Sequence, residues 1–270
     1  MSEVRTKVSE HTVELSTSTG HYYEAGQGFP TILIHGSGFS SGGEDWFPVI
    51  NEGLGEVTHV FAIDQLGWGS VHRPSRRYEF GFLVDHVREF QDALGFERTN
   101  LVGHSLGGWV AATLAYESPE RVNKLVCVAN AGLNTLPPPN FAAFEPPSDA
   151  QIAADLDHMS DPAMRKEVLA HHIRNTRTAD ALESYRSLGK MFRDMDMRRR
   201  YFLHRKLAYI KAPTLMVFGE HDLIFPPLEG RELMERDIAD SRSVVLADTG
   251  HQIPTQRPKE LAALLMDFLR

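Results

Sequence analysis

The sequence predicts an α/β fold in which a mostly parallel central sheet is flanked by helices. Short apolar runs rich in β-branched residues alternate along the chain with segments of helical period, and this alternation is typical of that fold class. Strands buried on both faces of a parallel sheet have such nearly continuous apolar runs. The runs lie at residues 31–35, 57–64, 99–104, 124–130, 213–220 and 243–247.

The elements at the start of this pattern can be assigned individually. Residues 80–94 predict the clearest helix, because their apolar side chains recur at i, i+3, i+4 and i+7, and Gly95 is placed to cap its C-terminus. Residues 11–16 and 22–25 are separated by a polar turn. We expect them to form an antiparallel hairpin at the edge of the sheet.

The pattern changes between residues 134 and 208. Prolines at 137–139 and 146–147 interrupt regular structure, and the segments that follow are charged and helical. We therefore predict one core domain, made of residues 1–133 and 209–270, with a helical insertion at 134–208. Ligands bind at the carboxyl ends of the strands in such sheets, so the insertion is expected to be a lid over a pocket. A plain surface insertion is the alternative.

The composition argues against several classes of partner. The chain has 28 basic and 36 acidic residues, and its net charge of −8 is spread along the sequence. This disfavours nucleic acids and anionic membranes as partners. The single cysteine, Cys127, lies in an apolar run and indicates a buried thiol and a reducing compartment. With no signal segment and no transmembrane span, a cytoplasmic protein that acts on a small molecule is expected.

The pentapeptide Gly103-His104-Ser105-Leu106-Gly107 is the strongest chemical signal. It follows a predicted strand and precedes a predicted helix, which is the context in which G-x-S-x-G exposes a nucleophilic serine. A serine hydroxyl needs a base to remove its proton. We therefore predict that Ser105 is a nucleophile served by a histidine.

The partners of Ser105 are predicted by chain order. Asp222 follows the strand run at 213–220 and His251 follows the run at 243–247, which gives the order serine, acid, histidine. His251 would accept the Ser105 proton and return it to the leaving group. Asp222 would hold the imidazole in the correct tautomer.

An oxyanion hole is predicted from two backbone amides. One belongs to Leu106, directly after the nucleophile, and the other to Ser37 in the loop at 35–38. A dinucleotide-binding loop is the competing interpretation of the same glycine-rich segment. It requires a glycine where the chain has Ser41, and it leaves Ser105 without a role.

Other candidate residues carry weaker signals. The adjacent His171 and His172 would point in different directions on a helix, and no zinc-ligand spacing is present, so no metal ion or cofactor is predicted. The basic run Arg198-Arg199-Arg200 is interpreted as a solvated helix face. Binding of a substrate carboxylate from the lid is the alternative.

These motifs together resemble the α/β-hydrolase superfamily over nearly the whole chain. Residues 64–70 are similar to its D-x-x-G-x-G-x-S loop, and 118–122 also match. The loop at 35–38, together with Trp46 and the chain length, is most similar to the meta-cleavage-product hydrolases. Those enzymes cleave a carbon–carbon bond in vinylogous 1,5-diketones made by aromatic ring fission. The resemblance implies an α/β-hydrolase fold and a homodimer.

The chain departs from that family at its pocket. The family usually has asparagine before the nucleophile and tryptophan after the catalytic histidine, where this chain has His104 and Gln252. An asparagine expected shortly after Trp46 is replaced by the pair at 47–48, and Arg186 is the nearest match for a lid arginine that grips the substrate carboxylate. The residues assigned to the substrate pocket are His35, Gly36, Gly38, His104 and Gln252.

The predicted function is that of a serine hydrolase. The first expectation is hydrolysis of a carboxylic ester of a small aromatic or alicyclic substrate. The alternative is carbon–carbon bond hydrolysis of a meta-cleavage product, with lactones, thioesters and amides as further substrates. A ligand receptor with slow turnover is a hypothesis of another class, and multiple turnover distinguishes it from an enzyme.

Overall fold

A computed structural model describes residues 7–16, 18–71, 79–133, 144–225 and 227–270. Within these ranges the chain forms one mixed sheet of eight strands. The strands are β1 (Ser9–Glu14), β2 (Thr19–Ala25), β3 (Pro30–Ile34), β4 (His59–Ile63), β5 (Thr99–His104), β6 (Val122–Val128), β7 (Thr214–Gly219) and β8 (Ser241–Leu246). Their order across the sheet is β1-β2-β4-β3-β5-β6-β7-β8.

The sheet is parallel except at one edge. β1 pairs antiparallel with β2, and β2 pairs antiparallel with β4. The remaining neighbours pair in parallel: β4 with β3, β3 with β5, β5 with β6, β6 with β7, and β7 with β8. The predicted α/β fold with a mostly parallel central sheet is therefore confirmed, and the predicted hairpin does form the sheet edge.

Helices cover both faces of the sheet. They are α1 (Phe47–Asn51), α2 (Phe80–Ala93), α3 (Leu106–Glu117), α4 (Asp149–Asp155), α5 (Pro162–Thr176), α6 (Ala181–Arg193), α7 (Met195–Tyr201), α8 (Pro227–Asp237), α9 (Ile253–Gln256) and α10 (Pro258–Leu269). Successive strand residues point to opposite faces. Ile32 and Ile34 of β3 accordingly pack with α2 and α3 in one core, whereas Leu33 packs with α1 and α10 in the other.

Local signals in the sequence fix several helix ends. α2 begins at Phe80 as predicted, and Gly95 just beyond it has φ of 71°, the left-handed conformation that glycine supplies at helix ends. Ser148 and Gln151 form a reciprocal capping box at the start of α4. Asp161 accepts hydrogen bonds from two amides at the start of α5.

The helices α4 to α7 lie between β6 and β7 and carry the helical pattern that was predicted for the insertion. The proline run at 137–139 lies outside the described residues. Helix α5 is anchored to the core through buried polar side chains: His172 Nε2 lies 2.7 Å from Asp45 Oδ1, and Asn175 hydrogen-bonds to Glu44 and to the carbonyl of Ser40. The division into domains and the role of a lid stay predictions.

The pKa values of two adjacent buried carboxyl groups in this anchor are shifted in opposite directions. Burial alone would raise the pKa of Asp45, but the hydrogen bond and charge of His172 outweigh it and hold the pKa below its usual value. The pKa of Glu44 is raised well above its usual value by burial and by the charges of Asp64 and Asp45. The fold therefore favours an ionised Asp45 and a protonated Glu44.

This difference predicts opposite changes in stability when each of the two carboxyl groups is replaced by the corresponding uncharged amide. Asp45→Asn should lower the free energy of unfolding by about 1–3 kcal/mol at pH 7, because it removes the charged partner of His172. A carboxyl group whose pKa is lowered by folding stabilises the protein at pH values above its pKa in the unfolded chain. The loss of stability in Asp45→Asn should therefore shrink as pH falls through the native pKa of Asp45. Urea unfolding between pH 3 and 8 measures this difference.

Glu44→Gln is the matched variant. A carboxyl group whose pKa is raised by folding contributes to stability at low pH, and this contribution is lost as pH rises through the pKa of the folded state. Glutamine remains uncharged at every pH and so does not lose stability in this way. This variant should be as stable as the original chain or more stable at pH 8. Equal losses in both variants at every pH would contradict the assigned protonation states.

Candidate active site

Ser105 occupies a strained turn between β5 and α3. Its φ of 53° and ψ of −115° place it in a region that side-chain-bearing residues rarely adopt. A Cβ atom on Gly103 would overlap the carbonyl of Gly107, and one on Gly107 would overlap the carbonyl of Ile34. The two glycines of the motif are therefore required by close backbone approach, which lets the turn project the serine from the sheet.

The structure brings Ser105, His251 and Asp222 together at the carboxyl ends of β5, β8 and β7. His251 Nε2 lies 3.0 Å from Ser105 Oγ, and His251 Nδ1 lies 2.8 Å from Asp222 Oδ2. Both distances are within normal hydrogen-bonding range. Asp222 is 2% exposed and Ser105 is 6% exposed, so the three side chains form a largely desolvated relay.

Asp222 is held as a carboxylate by its surroundings. Its Oδ1 accepts hydrogen bonds from the amides of Ile224 at 2.8 Å and Phe225 at 2.9 Å, while Oδ2 faces His251. Burial would raise the pKa of Asp222, but the hydrogen bond and charge of His251 and the two amides outweigh it and hold the pKa below its usual value. The acid can therefore stabilise a positively charged imidazole.

The loop at residues 36–41, named the oxyanion loop after its predicted role, lies directly against Ser105. A Cβ atom on Gly36 would lie 3.3 Å from the Cβ of Ser105, and the half-buried Ser37 is next in the chain. Leu106 is the first residue of α3, so its amide has no acceptor within the helix. The amides of Ser37 and Leu106 thus belong to the two segments that adjoin Ser105.

His35 supports this loop from below. Its Nδ1–H donates to the carbonyl of Gly36 at 2.7 Å, and its Nε2 accepts from the amide of Gln65 at 3.0 Å. The ring is fully buried, and burial lowers the pKa of His35. Both ring nitrogens bond to backbone groups, one to Gly36 in this loop and the other to Gln65 in the loop after β4, so neither nitrogen is available to the predicted substrate pocket.

The other residues assigned to the pocket are spread over several environments. His104 is 4% exposed, and its Nε2 lies 2.9 Å from the carbonyl oxygen of His251, so its ring lies inside the protein against the main chain of His251. Gln252 is exposed at the start of α9. Gly38 is exposed, and its carbonyl accepts a hydrogen bond from Trp68 Nε1 at 3.0 Å.

A small cavity adjoins the oxyanion loop, and sequence reasoning missed most of its lining. It lies between this loop, the loop after β4 and the helices α5 and α6. Its lining residues are Phe39, Gly67, Trp68, Gly69, Asn175, Thr178, Ala181 and Tyr185. Trp68 and the glycines belong to the D-x-x-G-x-G-x-S match, so that motif was the available signal for one wall.

The basic run of α7 is only partly a solvated face. Arg199 and Arg200 are exposed, but Arg198 is 5% exposed and its guanidinium lies 5.1 Å from the ring centre of Phe202. The prediction of a solvated face is therefore wrong for Arg198, because that side of the short helix faces the core. Arg186 lies exposed on α6.

Among the described residues, Glu220, His221 and Asp248 have the spacing of metal ligands, with ligand atoms within 4.8 Å of one another. All three are exposed, and the Ser105 relay does not involve them. Cys127 is fully buried, and burial raises its pKa to about 12, so the structure places the thiol in the core as predicted. No helix in the described ranges has the length and apolar character needed to cross a bilayer.

Comparisons with known proteins decide the family. Residues 31–264 match the model of the Alpha/beta hydrolase family. The chain belongs to the alpha/beta hydrolase family. As a member of it, the chain is a hydrolase, and the similarity to meta-cleavage-product hydrolases is confirmed among its relatives.

Two curated relatives and one solved structure are similar to this hydrolase over most of its length. It is 31% identical over 256 residues to 2-hydroxymuconate semialdehyde hydrolase of Pseudomonas sp. (strain CF600), covering 92% of this chain and 89% of that one. It is 27% identical to 2-hydroxy-6-oxo-6-phenylhexa-2,4-dienoate hydrolase of Comamonas testosteroni, with 98% and 95% covered. A serine hydrolase involved in carbazole degradation matches with a TM-score of 0.81 and 25% identity, covering 97% of this chain and 99% of that one.

Proposed function

We propose that this hydrolase is a serine hydrolase in which Ser105 is the nucleophile, His251 the general base and Asp222 the orienting acid. The observation that carries the proposal is the pair of hydrogen bonds, 3.0 Å and 2.8 Å long, that join the three side chains in series. His251 removes the hydroxyl proton as Ser105 attacks a substrate carbonyl, and then delivers it to the leaving group.

The charge that develops on the carbonyl oxygen requires donors that are already in place. In this proposal the amides of Leu106 and Ser37 provide them, because one begins a helix at the nucleophile and the other lies in the loop packed against Ser105. The polar support beneath that loop, in which His35 holds the carbonyl of Gly36, keeps its backbone from reorienting during the reaction.

For the substrate, we favour a ring-fission product whose carbon–carbon bond is hydrolysed. The support is that the two curated relatives compared above are named as hydrolases of 2-hydroxymuconate semialdehyde and of a phenylhexadienoate. Ester and carbon–carbon hydrolysis share the nucleophile, the base and the oxyanion hole. The carbon–carbon reaction also needs the dienol to ketonise before the bond breaks: its enol hydroxyl loses a proton and a ring-fission carbon gains one. His251 can carry that proton as an imidazolium paired with Asp222.

Ester hydrolysis of a small aromatic or alicyclic substrate is the second candidate. Three departures from the resembled family favour it: His104 in place of asparagine, Gln252 in place of tryptophan, and the pair at 47–48 where an asparagine is expected shortly after Trp46. His104 is turned into the protein and Gln252 outward to solvent, so neither provides the polar wall that a dienoate carboxylate would require.

One pair of assays separates the two candidates. The purified hydrolase should bleach a yellow 2-hydroxy-6-oxohexa-2,4-dienoate over many turnovers, faster than it hydrolyses short and aromatic p-nitrophenyl esters. Ser105→Ala is the control for nonspecific bleaching. Activity confined to the esters would reject carbon–carbon cleavage and leave the esterase. Activity on neither substrate would contradict the proposal for both.

A further inference from the structure

We propose that His104 is a positioning residue that holds the main chain of His251 and the oxyanion loop at the spacing that attack by Ser105 requires. This inference rests on the proposed function, because it assigns His104 a role in the same reaction. It departs from the expectation that His104 lines the substrate pocket.

The ring of His104 bridges two parts of the site. Its Nε2 lies 2.9 Å from the carbonyl oxygen of His251. Its opposite edge faces the oxyanion loop, since a Cβ atom on Gly36 would lie 3.1 Å from His104 Nδ1. Because His104 directly precedes Ser105, a single rigid ring connects the nucleophile's strand, the base and the oxyanion loop.

The hydrogen bond fixes the proton on this ring. A carbonyl oxygen can only accept, so Nε2 carries the hydrogen and Nδ1, toward Gly36, is unprotonated in the neutral ring. Burial and the neighbouring His251 lower the pKa of His104 to about 3. The ring therefore stays neutral while His251 cycles between its two charge states, and it does not compete for the Ser105 proton.

The contact acts on the base itself. The His251 ring lies between two other rings, with its centre 5.0 Å from that of His104 and 5.4 Å from that of Phe225. With its carbonyl held by His104 and its Nδ1 by Asp222, His251 has little freedom to turn away from Ser105 Oγ. A shift of about 1 Å in such a group can reduce the rate about 100-fold.

Three substitutions separate the hydrogen bond from the volume of the ring. Glutamine places an amide nitrogen close to the position of Nε2, so His104→Gln can still donate to the His251 carbonyl. Asparagine places its amide near the position of Nδ1 and cannot reach that carbonyl. Phenylalanine preserves the ring and removes the donor. His11→Phe, on the edge strand β1, controls for replacing a histidine far from the site.

The experiment measures kcat and KM for p-nitrophenyl acetate, normalised to the active sites titrated by a fluorophosphonate. His104→Phe and His104→Asn should lower kcat by about 10- to 100-fold with KM changed by less than about threefold. His104→Gln should recover most of that loss. Because only titrated sites are counted, misfolded protein does not enter the rate, and a structural role alone would leave kcat per site unchanged.

Two outcomes overturn the inference by itself. Unchanged kcat per site in His104→Phe would do so, as would a glutamine variant as impaired as the phenylalanine variant. If the original chain is not titrated by the fluorophosphonate, or if Ser105→Ala retains full activity, the proposed function fails and the inference fails with it. The results with the original chain and Ser105→Ala therefore distinguish the two failures.

Discussion

Replacement of Ser105 by alanine is expected to lower kcat by about 10⁶-fold, the scale of loss when a serine nucleophile is removed. His251 would then have no hydroxyl to activate, and no covalent intermediate could form. Steady-state hydrolysis of p-nitrophenyl acetate and bleaching of the dienoate measure the loss. Both activities should fall together, because both candidate reactions need Ser105 to attack a substrate carbonyl.

The fold of this variant should remain intact. Alanine removes a single oxygen atom from a residue that is 6% exposed, and the amide and carbonyl of residue 105 keep their hydrogen bonds to Val128, Gly108, Trp109 and Ala131. The strain at φ of 53° is common to both side chains. Equal unfolding midpoints for the two proteins would show that the loss is chemical.

The outcome that would remove Ser105 from the mechanism is also clear. Turnover close to that of the original chain in both assays would mean that another group attacks the substrate. If ester hydrolysis alone fell and bleaching were retained, Ser105 would be the nucleophile for ester hydrolysis but not for the reaction of the dienoate. Labelling of the original chain by a fluorophosphonate, and not of Ser105→Ala, provides an independent check.

The sequence predicts the framework of this site because its signals are local. A serine between glycines after an apolar run specifies a strand, a tight turn and a helix, and Asp222 and His251 each follow their own strand. Parallel strands end at the same edge of a sheet. The meeting of the three side chains therefore follows from topology, although their distances do not.

The environment of single side chains is what the sequence does not predict. His35 and His104 each end an apolar run, and their spacing does not reveal that their rings turn inward, one to the carbonyl of the next residue, Gly36, and the other to the carbonyl of His251. Arg198 is adjacent to two exposed arginines, and only the packing of α7 separates it from them. Burial of Glu44 against Asn175 depends on two segments 131 positions apart.

Asp222→Asn is expected to lower kcat by about 10⁴-fold, a loss far larger than the small change in shape would suggest. The reason lies in the two oxygens of Asp222. Oδ1 accepts from the amides of Ile224 and Phe225, so an asparagine must point its single carbonyl oxygen at them to avoid a clash of donors. Its NH₂ group then faces His251.

That orientation changes the tautomer of His251. With an NH₂ donor beside it, His251 Nδ1 must be unprotonated, so the proton of the neutral ring moves to Nε2, the atom 3.0 Å from Ser105 Oγ. A protonated Nε2 cannot accept the serine proton, although all heavy atoms stay in place. Pre-steady-state acylation by p-nitrophenyl acetate measures the effect, because this step contains the proton transfer.

Asp222→Ala tests the tautomer explanation. Alanine also removes the charge that stabilises the imidazolium, but it imposes no donor on Nδ1 and lets His251 keep a proton there. If the tautomer dominates, the asparagine variant should acylate no faster than the alanine variant. Faster acylation by asparagine would mean that Asp222 acts mainly by filling space and fixing the ring, and that its charge and hydrogen-bonding polarity contribute less than the depressed pKa of this carboxyl implies.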